Sequence, residues 1–170
     1  MSRTETGLSC VYIRGRGQRL IERWEDLYRI SRPTLYRTAA LMVGDAEAEE
    51  VVQDAFERGM RQPHFFATVK CPEAWLRTAV VRLAVSRIRR RGLWARVRER
   101  LQPASAPAHS EALDLKMALP RLSERQRGAI VMRYFHGASY DDIADALGVS
   151  ADTVGSLLSR AREALRETLR

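Results

Sequence analysis

The chain has 170 residues, enough for one domain or two small ones, and 45% of them are hydrophobic. No apolar run approaches the roughly 20 residues that a membrane-spanning helix needs, and the first seven residues lack the apolar core of a signal peptide, so we expect a cytoplasmic protein. The net charge of +8 favours a polyanionic partner.

Residues 1–19 are polar and glycine-bearing, and we predict that they form a disordered extension. Apolar residues at helical spacing predict a helix from Leu20. Pro33 suits the first turn of a second helix, which Gly44 ends. A third helix starts near Asp45. Its predicted inner face consists of Val51, Val52, Ala55, Phe56 and Met60.

Residues 62–71 read as a loop, after which Pro72 opens a long helix that we expect to break at Gly92. Residues 103–110 have the composition of a linker, because their prolines and small side chains have nothing to bury. A short helix over residues 111–119 and a helix capped by Ser123 are predicted next.

The last predicted element is a helix-turn-helix over residues 139–162. Ser139 and Asp142 form a capping-box pattern, Gly148 supplies the turn, and Ser150 is placed to cap the second helix. One face of that helix is apolar, comprising Val154, Leu157, Leu158, Ala161 and Leu165. Two short helices joined by a glycine turn form a DNA-reading unit whose second helix enters the major groove.

We find no strand pattern of useful length, so the predicted fold is all-α, with two small helical domains joined by a flexible linker. The first domain is predicted at residues 20–101, the linker at 102–111 and the helix-turn-helix domain at 112–170.

Charge is distributed unevenly between two adjacent segments. Residues 77–100 hold nine arginines and one acid, whereas residues 44–57 hold six acids and no base. Each could be a solvated face and nothing more. A basic and an acidic surface side by side favour two different partners, with the arginines following phosphates.

Nothing in the sequence points to catalysis or metal binding. Cys10 and Cys71 have no pairing motif, so we expect free thiols, and the histidines are not at zinc-finger spacing from them. The sequence also lacks paired carboxylates, a nucleophile–base set and a glycine-rich loop that could bind phosphate. We therefore expect no enzymatic activity, no cofactor, no metal and no small-molecule substrate.

Three blocks in this order resemble a group IV, or extracytoplasmic-function, sigma factor of bacterial RNA polymerase. They are residues 24–36 with 44–56, residues 74–91, and residues 119–127 with 143–150 and 153–154. They look like the core-binding helices of region 2, the helix that faces the −10 promoter element, and region 4. The resemblance implies a promoter-specificity subunit that binds core polymerase and directs transcription initiation at −35 and −10 elements.

The resemblance also implies site residues and partners. The core-binding residues, which pack on the β′ coiled coil, would be Glu49, Glu50, Gln53, Asp54 and Phe56. The −10 residues would be Phe66, Trp75, Arg82, Ser86, Arg87, Arg89, Arg90 and Arg91. The −35 residues would be Ser150, Thr153, Ser156, Ser159, Arg160 and Arg162. The β flap and an anti-sigma factor are further partners that the family implies.

Some of these residues have a second interpretation from spacing alone. A single Phe at the position of Phe56 is more often a core residue, and Trp75 is more often a core anchor than a base-stacking residue. Arg162 fits a phosphate or surface role better than base reading.

The chain departs from the family pattern at four positions. Arg82 and Ser86 stand where relatives often carry Asn and Asp. Arginine offers only donors, so the family's usual base preference does not carry over. Gly155 and Leu157 fill slots that usually carry Lys or Arg, so we expect the isolated C-terminal domain to bind DNA weakly.

The alternative function is a stand-alone helix-turn-helix regulator that binds a palindromic operator as a dimer. It predicts tight operator binding without polymerase and leaves the acidic segment unexplained. An enzyme that acts on nucleic acid is the third hypothesis, and no motif supports it.

Overall fold

The computed structural model describes residues 6–98 and 117–168, with side-chain surroundings for residues 19–92 and 117–168. The helices are α1 (Thr6–Val43), α2 (Asp45–Arg61), α3 (Phe65–Thr68), α4 (Pro72–Arg98), α5 (Glu124–Ile130), α6 (Tyr140–Leu147) and α7 (Ala151–Thr168). A 3₁₀ turn precedes α5 and a π-helical turn follows it. The described residues contain no strand, which confirms the all-α prediction. The predicted linker, residues 102–111, and most of the helix predicted over 111–119 lie outside them.

α1 is one continuous helix that runs through Pro33. We predicted a disordered extension over residues 1–19 and a new helix at Pro33, whereas the helix described here already includes residues 6–19 and does not restart at Pro33. Proline's fixed φ is that of a helix, so a helix can continue through it at a cost of about 3 kcal/mol. Leu35, on the C-terminal side of Pro33, is buried, and such burial can offset that cost. At the other end, Gly44 terminates α1 with a φ of 90°, as predicted.

The chain divides at Pro33 into two compact units, of which the second runs from Thr34 to the C-terminus. Helices of both predicted domains therefore lie in one compact unit. The tether predicted between the domains lies outside the described residues. We call residues 34–92 the α4 half of this unit and residues 117–168 its helix-turn-helix half.

The α4 half has a core between α2 and α4. α2 buries Val51, Val52 and Phe56 on the predicted face, but Met60 is 56% exposed and its prediction was wrong. In the last turn of α2 the buried position is taken by Gly59 instead. The break that we predicted at Gly92 was also wrong, because a glycine costs a helix only about 1 kcal/mol and α4 continues to Arg98.

The helix-turn-helix half follows the sequence prediction closely. Ser123 and Ser139 both complete capping boxes, with Gln126 and Asp142 respectively. Gly148 ends α6 in the left-handed conformation that the tight turn requires. α7 buries Val154, Leu158 and Ala161, while Leu157 and Leu165 are half-buried.

The two halves share a core around Gly128 of α5. A Cβ at this position would lie 2.8 Å from Leu147 Cδ2, 3.6 Å from Val81 Cγ1 and 3.7 Å from Met42 Cε. Leu147 belongs to the same half, whereas Met42 and Val81 belong to the α4 half and are fully buried. The absence of a side chain at residue 128 therefore permits α5 to pack closely against the α4 half and against α6 of its own half. Among the described residues, no helix is long and apolar enough to cross a bilayer.

Candidate polymerase and nucleic-acid interfaces

An acidic face lies on the outer side of α2, as its charge pattern indicates. Glu50 and Gln53 are exposed, and Glu49 and Asp54 are partly exposed. Phe56 is only 3% exposed, so we correct its assignment as a polymerase contact. It follows Val52 by four residues and therefore shares the inner face of the helix.

Arg87 of α4 binds this acidic face directly. Its guanidinium lies 2.8 Å from Glu50 Oε2 and 2.7 Å from Asp54 Oδ2, and its side chain is only 14% exposed. The hydrogen bond from Arg87 lowers the pKa of Glu50, and the bond to Glu50 raises the pKa of Arg87 despite partial burial. We had assigned Arg87 to −10 DNA, but here it orients the carboxylates and neutralises part of their charge.

Other arginines of α4 also contact the protein. Arg91 pairs with Glu47 of α2. Arg89 Nε lies 3.5 Å from Glu124 Oε1 of α5. Ser86 and Arg90 are exposed. The arginines of this stretch whose side chains the structure describes therefore do not form a uniformly available phosphate-binding face.

Arg82 binds the helix-turn-helix half. Its Nη2 donates to the carbonyl of Asp145 at 2.6 Å and its Nε donates to that of Ala146 at 3.3 Å. Both carbonyls lie in the last turn of α6, where no backbone donor follows within the helix. A cation is favoured there because the carboxyl end of a helix carries partial negative charge.

An aromatic cluster joins α3 to the start of α4. The buried ring of Phe65 meets Phe66 edge-on at 5.3 Å between centroids and Trp75 edge-on at 5.1 Å. Phe66 and Trp75 are themselves half-buried. Our predicted set contained these two rings but missed Phe65, which holds them together. Two adjacent aromatic residues in a predicted loop were the available signal.

The recognition helix α7 presents its polar side to solvent. Thr153, Ser156, Ser159 and Arg160 are all exposed. A Cβ at Gly155 would make only an ordinary contact with Tyr140, 3.8 Å away, so packing does not require glycine there.

The ends of the recognition helix are held locally. Ser150 Oγ accepts from the backbone N–H of Thr153 at 3.3 Å and caps α7, as predicted. Arg162 Nε donates to the carbonyl of Leu158 at 3.3 Å. Ser150 and Arg162 are also exposed.

Two side chains that we did not single out connect the halves. His136 Nε2 and Thr38 Oγ1 are 2.8 Å apart. Burial, with a smaller effect of Arg77, lowers the pKa of His136 to about 4, so the ring is neutral at pH 7. Arg127, which is 7% exposed, donates to the carbonyl of Met42 near the end of α1. No local sequence pattern signals contacts between residues so far apart in the chain.

Two family models match the chain in the predicted order. Sigma-70 region 2 matches residues 27–93, and sigma-70 region 4 matches residues 112–165. The first therefore covers the α4 half and the second covers the helix-turn-helix.

Named relatives agree with these matches. The extracytoplasmic-function (ECF) RNA polymerase sigma factor SigE of Mycolicibacterium smegmatis is 32% identical over 86% of this chain, which spans 61% of that relative's length. The RNA polymerase sigma-E factor of Streptomyces antibioticus is 31% identical over 86% of this chain and 84% of its own. The chain belongs to the ECF sigma factors. The resemblance inferred from its motifs is thereby confirmed.

A solved structure is similar over nearly the whole chain. The sigma factor RpoE of Bartonella quintana, crystallised with the anti-sigma factor NepR, aligns with a TM-score of 0.70 at 28% identity. The alignment covers 87% of this chain and 97% of RpoE. The helical architecture is therefore that of a solved sigma factor.

Proposed function

We propose that this protein is a promoter-specificity subunit that binds core RNA polymerase and directs transcription initiation by recognising −35 and −10 elements. The observation that carries the proposal is the pairing, in one sigma-factor chain, of an exposed acidic face on α2 with an exposed recognition helix α7. A regulator that acts alone would need the recognition helix but not the acidic face.

The acidic face is the proposed docking surface for core polymerase, on the coiled coil of β′. Glu50 and Gln53 supply exposed polar groups and Asp54 a partly exposed one, and Arg87 keeps the two carboxylates in place. Charged groups at an interface favour specificity and the rate of association. The helix-turn-helix half would contact the β flap as well as DNA.

Promoter recognition divides between the two halves. The exposed hydroxyls and Arg160 of α7 are suited to the −35 element, because serine and threonine can bind phosphates or bases and arginine can read guanine. The aromatic cluster and the arginines of α4 are suited to the −10 element, where a base must leave the stack at a cost of a few kcal/mol.

The protein would carry out no chemistry of its own and would act in the cytoplasm, with polymerase. The Bartonella RpoE structure contains an anti-sigma factor. We propose that a partner of that class also controls this chain.

Binding to core polymerase tests the proposal. The full chain is mixed with purified core enzyme and separated by size, and we expect stoichiometric co-elution in the absence of DNA. The regulator alternative predicts a dimer that elutes apart from polymerase and binds an operator tightly by itself. Co-elution supports the sigma function, whereas a free dimer with nanomolar operator affinity overturns it.

A further inference from the structure

The second unit contains a cavity of about 480 Å³, away from the outer face of α2 and from the recognition helix. Its walls come from the end of α1, the start of α2, α4, the 3₁₀ turn and α5. Small-molecule sites in proteins have volumes of about 300–1,000 Å³. The cavity is therefore large enough for a small organic molecule.

Most of the cavity wall is apolar. Its side chains include Leu41 of α1, Ile88 of α4, Met117 and Pro120. Met117 is 43% exposed, so a large apolar side chain at this wall remains in contact with water. The apolar part of a ligand would cover it and gain the free energy of that burial. A methionine side chain also adapts readily to different ligand shapes.

Two guanidinium groups, those of Arg91 and Arg127, also line the cavity. Arg91 is half-exposed, pairs with Glu47 and donates to the carbonyl of Val43 at 3.5 Å. Arg127 is only 7% exposed. In the part of the chain that the structure describes, no carboxylate forms an ion pair with Arg127. The two cations therefore differ, since one has a counter-charge and the other does not.

The hydrogen bonds of Arg127 are also incomplete. A guanidinium has five N–H donors. Arg127 donates from Nη1 to the carbonyl of Met42 and from Nη2, at 3.4 Å, to that of Leu122. Its Nε is buried and has no partner among the described residues. A buried cation without a counter-charge is costly to the fold, so an anion beside it would be stabilising.

The electrostatic surroundings of Arg127 favour an anion as well. Burial lowers the pKa of Arg127, the charge of Arg91 lowers it further, and Glu124 opposes these effects only in part. Two cations thus repel each other at the wall of one cavity. An anion in that cavity would attract both.

One acidic residue, Asp45 at the start of α2, lines the cavity too, and its side chain is exposed. The lining therefore carries two positive charges and one negative charge. This balance suits a ligand with a single negative charge better than a phosphate ester, which carries nearly two.

We propose that the cavity binds a small monocarboxylic acid with an apolar chain, whose carboxylate pairs with Arg127 and whose chain packs against Ile88 and Met117. Hydrogen bonds between a guanidinium and a carboxylate are charge-assisted and can be bidentate, which gives the ligand a defined orientation. The site depends on the packing of these helices and not on the proposed function in transcription.

Calorimetric titration of the full chain with octanoate, below its micelle-forming concentration, tests the proposal. We expect binding that saturates at one molecule per chain. Octanol has the chain without the charge, and acetate has the charge without the chain. Each should bind at least about tenfold more weakly, because it lacks either the charge-assisted bonds or the apolar contact.

Met117→Glu places a carboxylate at the cavity wall and should weaken octanoate binding at least about tenfold by repulsion. Met60→Glu is the matched control, since it makes the same substitution at a methionine that is 56% exposed and does not line the cavity. It should bind octanoate as the unaltered chain does. Both positions are exposed, and circular dichroism verifies that each variant is folded.

Arg127→Gln removes the cation and should abolish the preference for octanoate over octanol. Because Arg127 also bonds to the backbone, Met117→Glu keeps the test decisive if Arg127→Gln does not fold.

Magnetic resonance of isotope-labelled methionine methyl groups locates the ligand. Octanoate should shift the signal of Met117, which Met117→Leu identifies by its loss, and leave that of Met60 unchanged.

Three results would overturn the inference. The first is a lack of saturable octanoate binding. The second is equal affinity for octanoate and octanol, which would exclude pairing with the guanidinium. The third is an equal effect of Met117→Glu and Met60→Glu, which would place the binding elsewhere. Because polymerase and DNA are absent from the experiment, none of these results bears on binding to core enzyme.

Discussion

Asp54→Arg is expected to lower the affinity for core polymerase at least about tenfold, equivalent to about 1.4 kcal/mol. The substitution removes a carboxylate from the proposed docking face and places a second cation beside Arg87, which now lies 2.7 Å from Asp54 Oδ2. Repulsion would displace Arg87 and, with it, Glu50. Titration of labelled chain with core enzyme, in the absence of DNA, measures the affinity.

Glu73→Arg is the matched control, because Glu73 is an exposed acid on α4, outside the acidic face, and the substitution changes net charge equally. It should bind core polymerase as the unaltered chain does. An equal loss of affinity for core polymerase in both variants would indicate that binding responds to net charge alone. No loss in Asp54→Arg would exclude this side of α2 as the docking surface.

Ile143→Ala is expected to destabilise the helix-turn-helix by about 2–5 kcal/mol. Ile143 is fully buried on the inner face of α6, and truncation leaves a cavity beneath the recognition helix. Because α6 also carries the carbonyls that Arg82 binds, the damage should extend to the interface between the halves. Chemical denaturation, monitored by circular dichroism, gives the change in unfolding free energy.

The conservative variant Ile143→Val separates packing from other effects. It removes one methylene and should cost only about 0.5–1.5 kcal/mol. If Ile143→Ala proved as stable as the unaltered chain, the helix-turn-helix core described here would be incorrect.

Local signals made much of the fold predictable. The capping boxes at Ser123 and Ser139 and the left-handed turn at Gly148 depend on residues within a few positions of one another, and all were confirmed. At Pro33 and Gly92 we gave a local signal too much weight. Their local cost is a few kcal/mol at most, and the helices around them continue regardless.

The partners of charged residues could not be predicted in this way. The arginine segment reads as a phosphate-binding face when its charges are summed, but Arg87 is neutralised by α2 and Arg82 is bound by α6. Arg127 and His136 have their partners 85 and 98 residues away. Such pairings follow from tertiary packing, and no periodic pattern in the sequence predicts them.

Run-off transcription by purified core polymerase, with and without the full chain, measures promoter specificity directly across a library that varies two elements and their spacing. We expect transcripts that require the protein and that come only from templates with both elements at one fixed separation. If no template depended on the protein, or if dependence survived any spacing between the elements, the chain would not be a promoter-specificity subunit of the kind proposed.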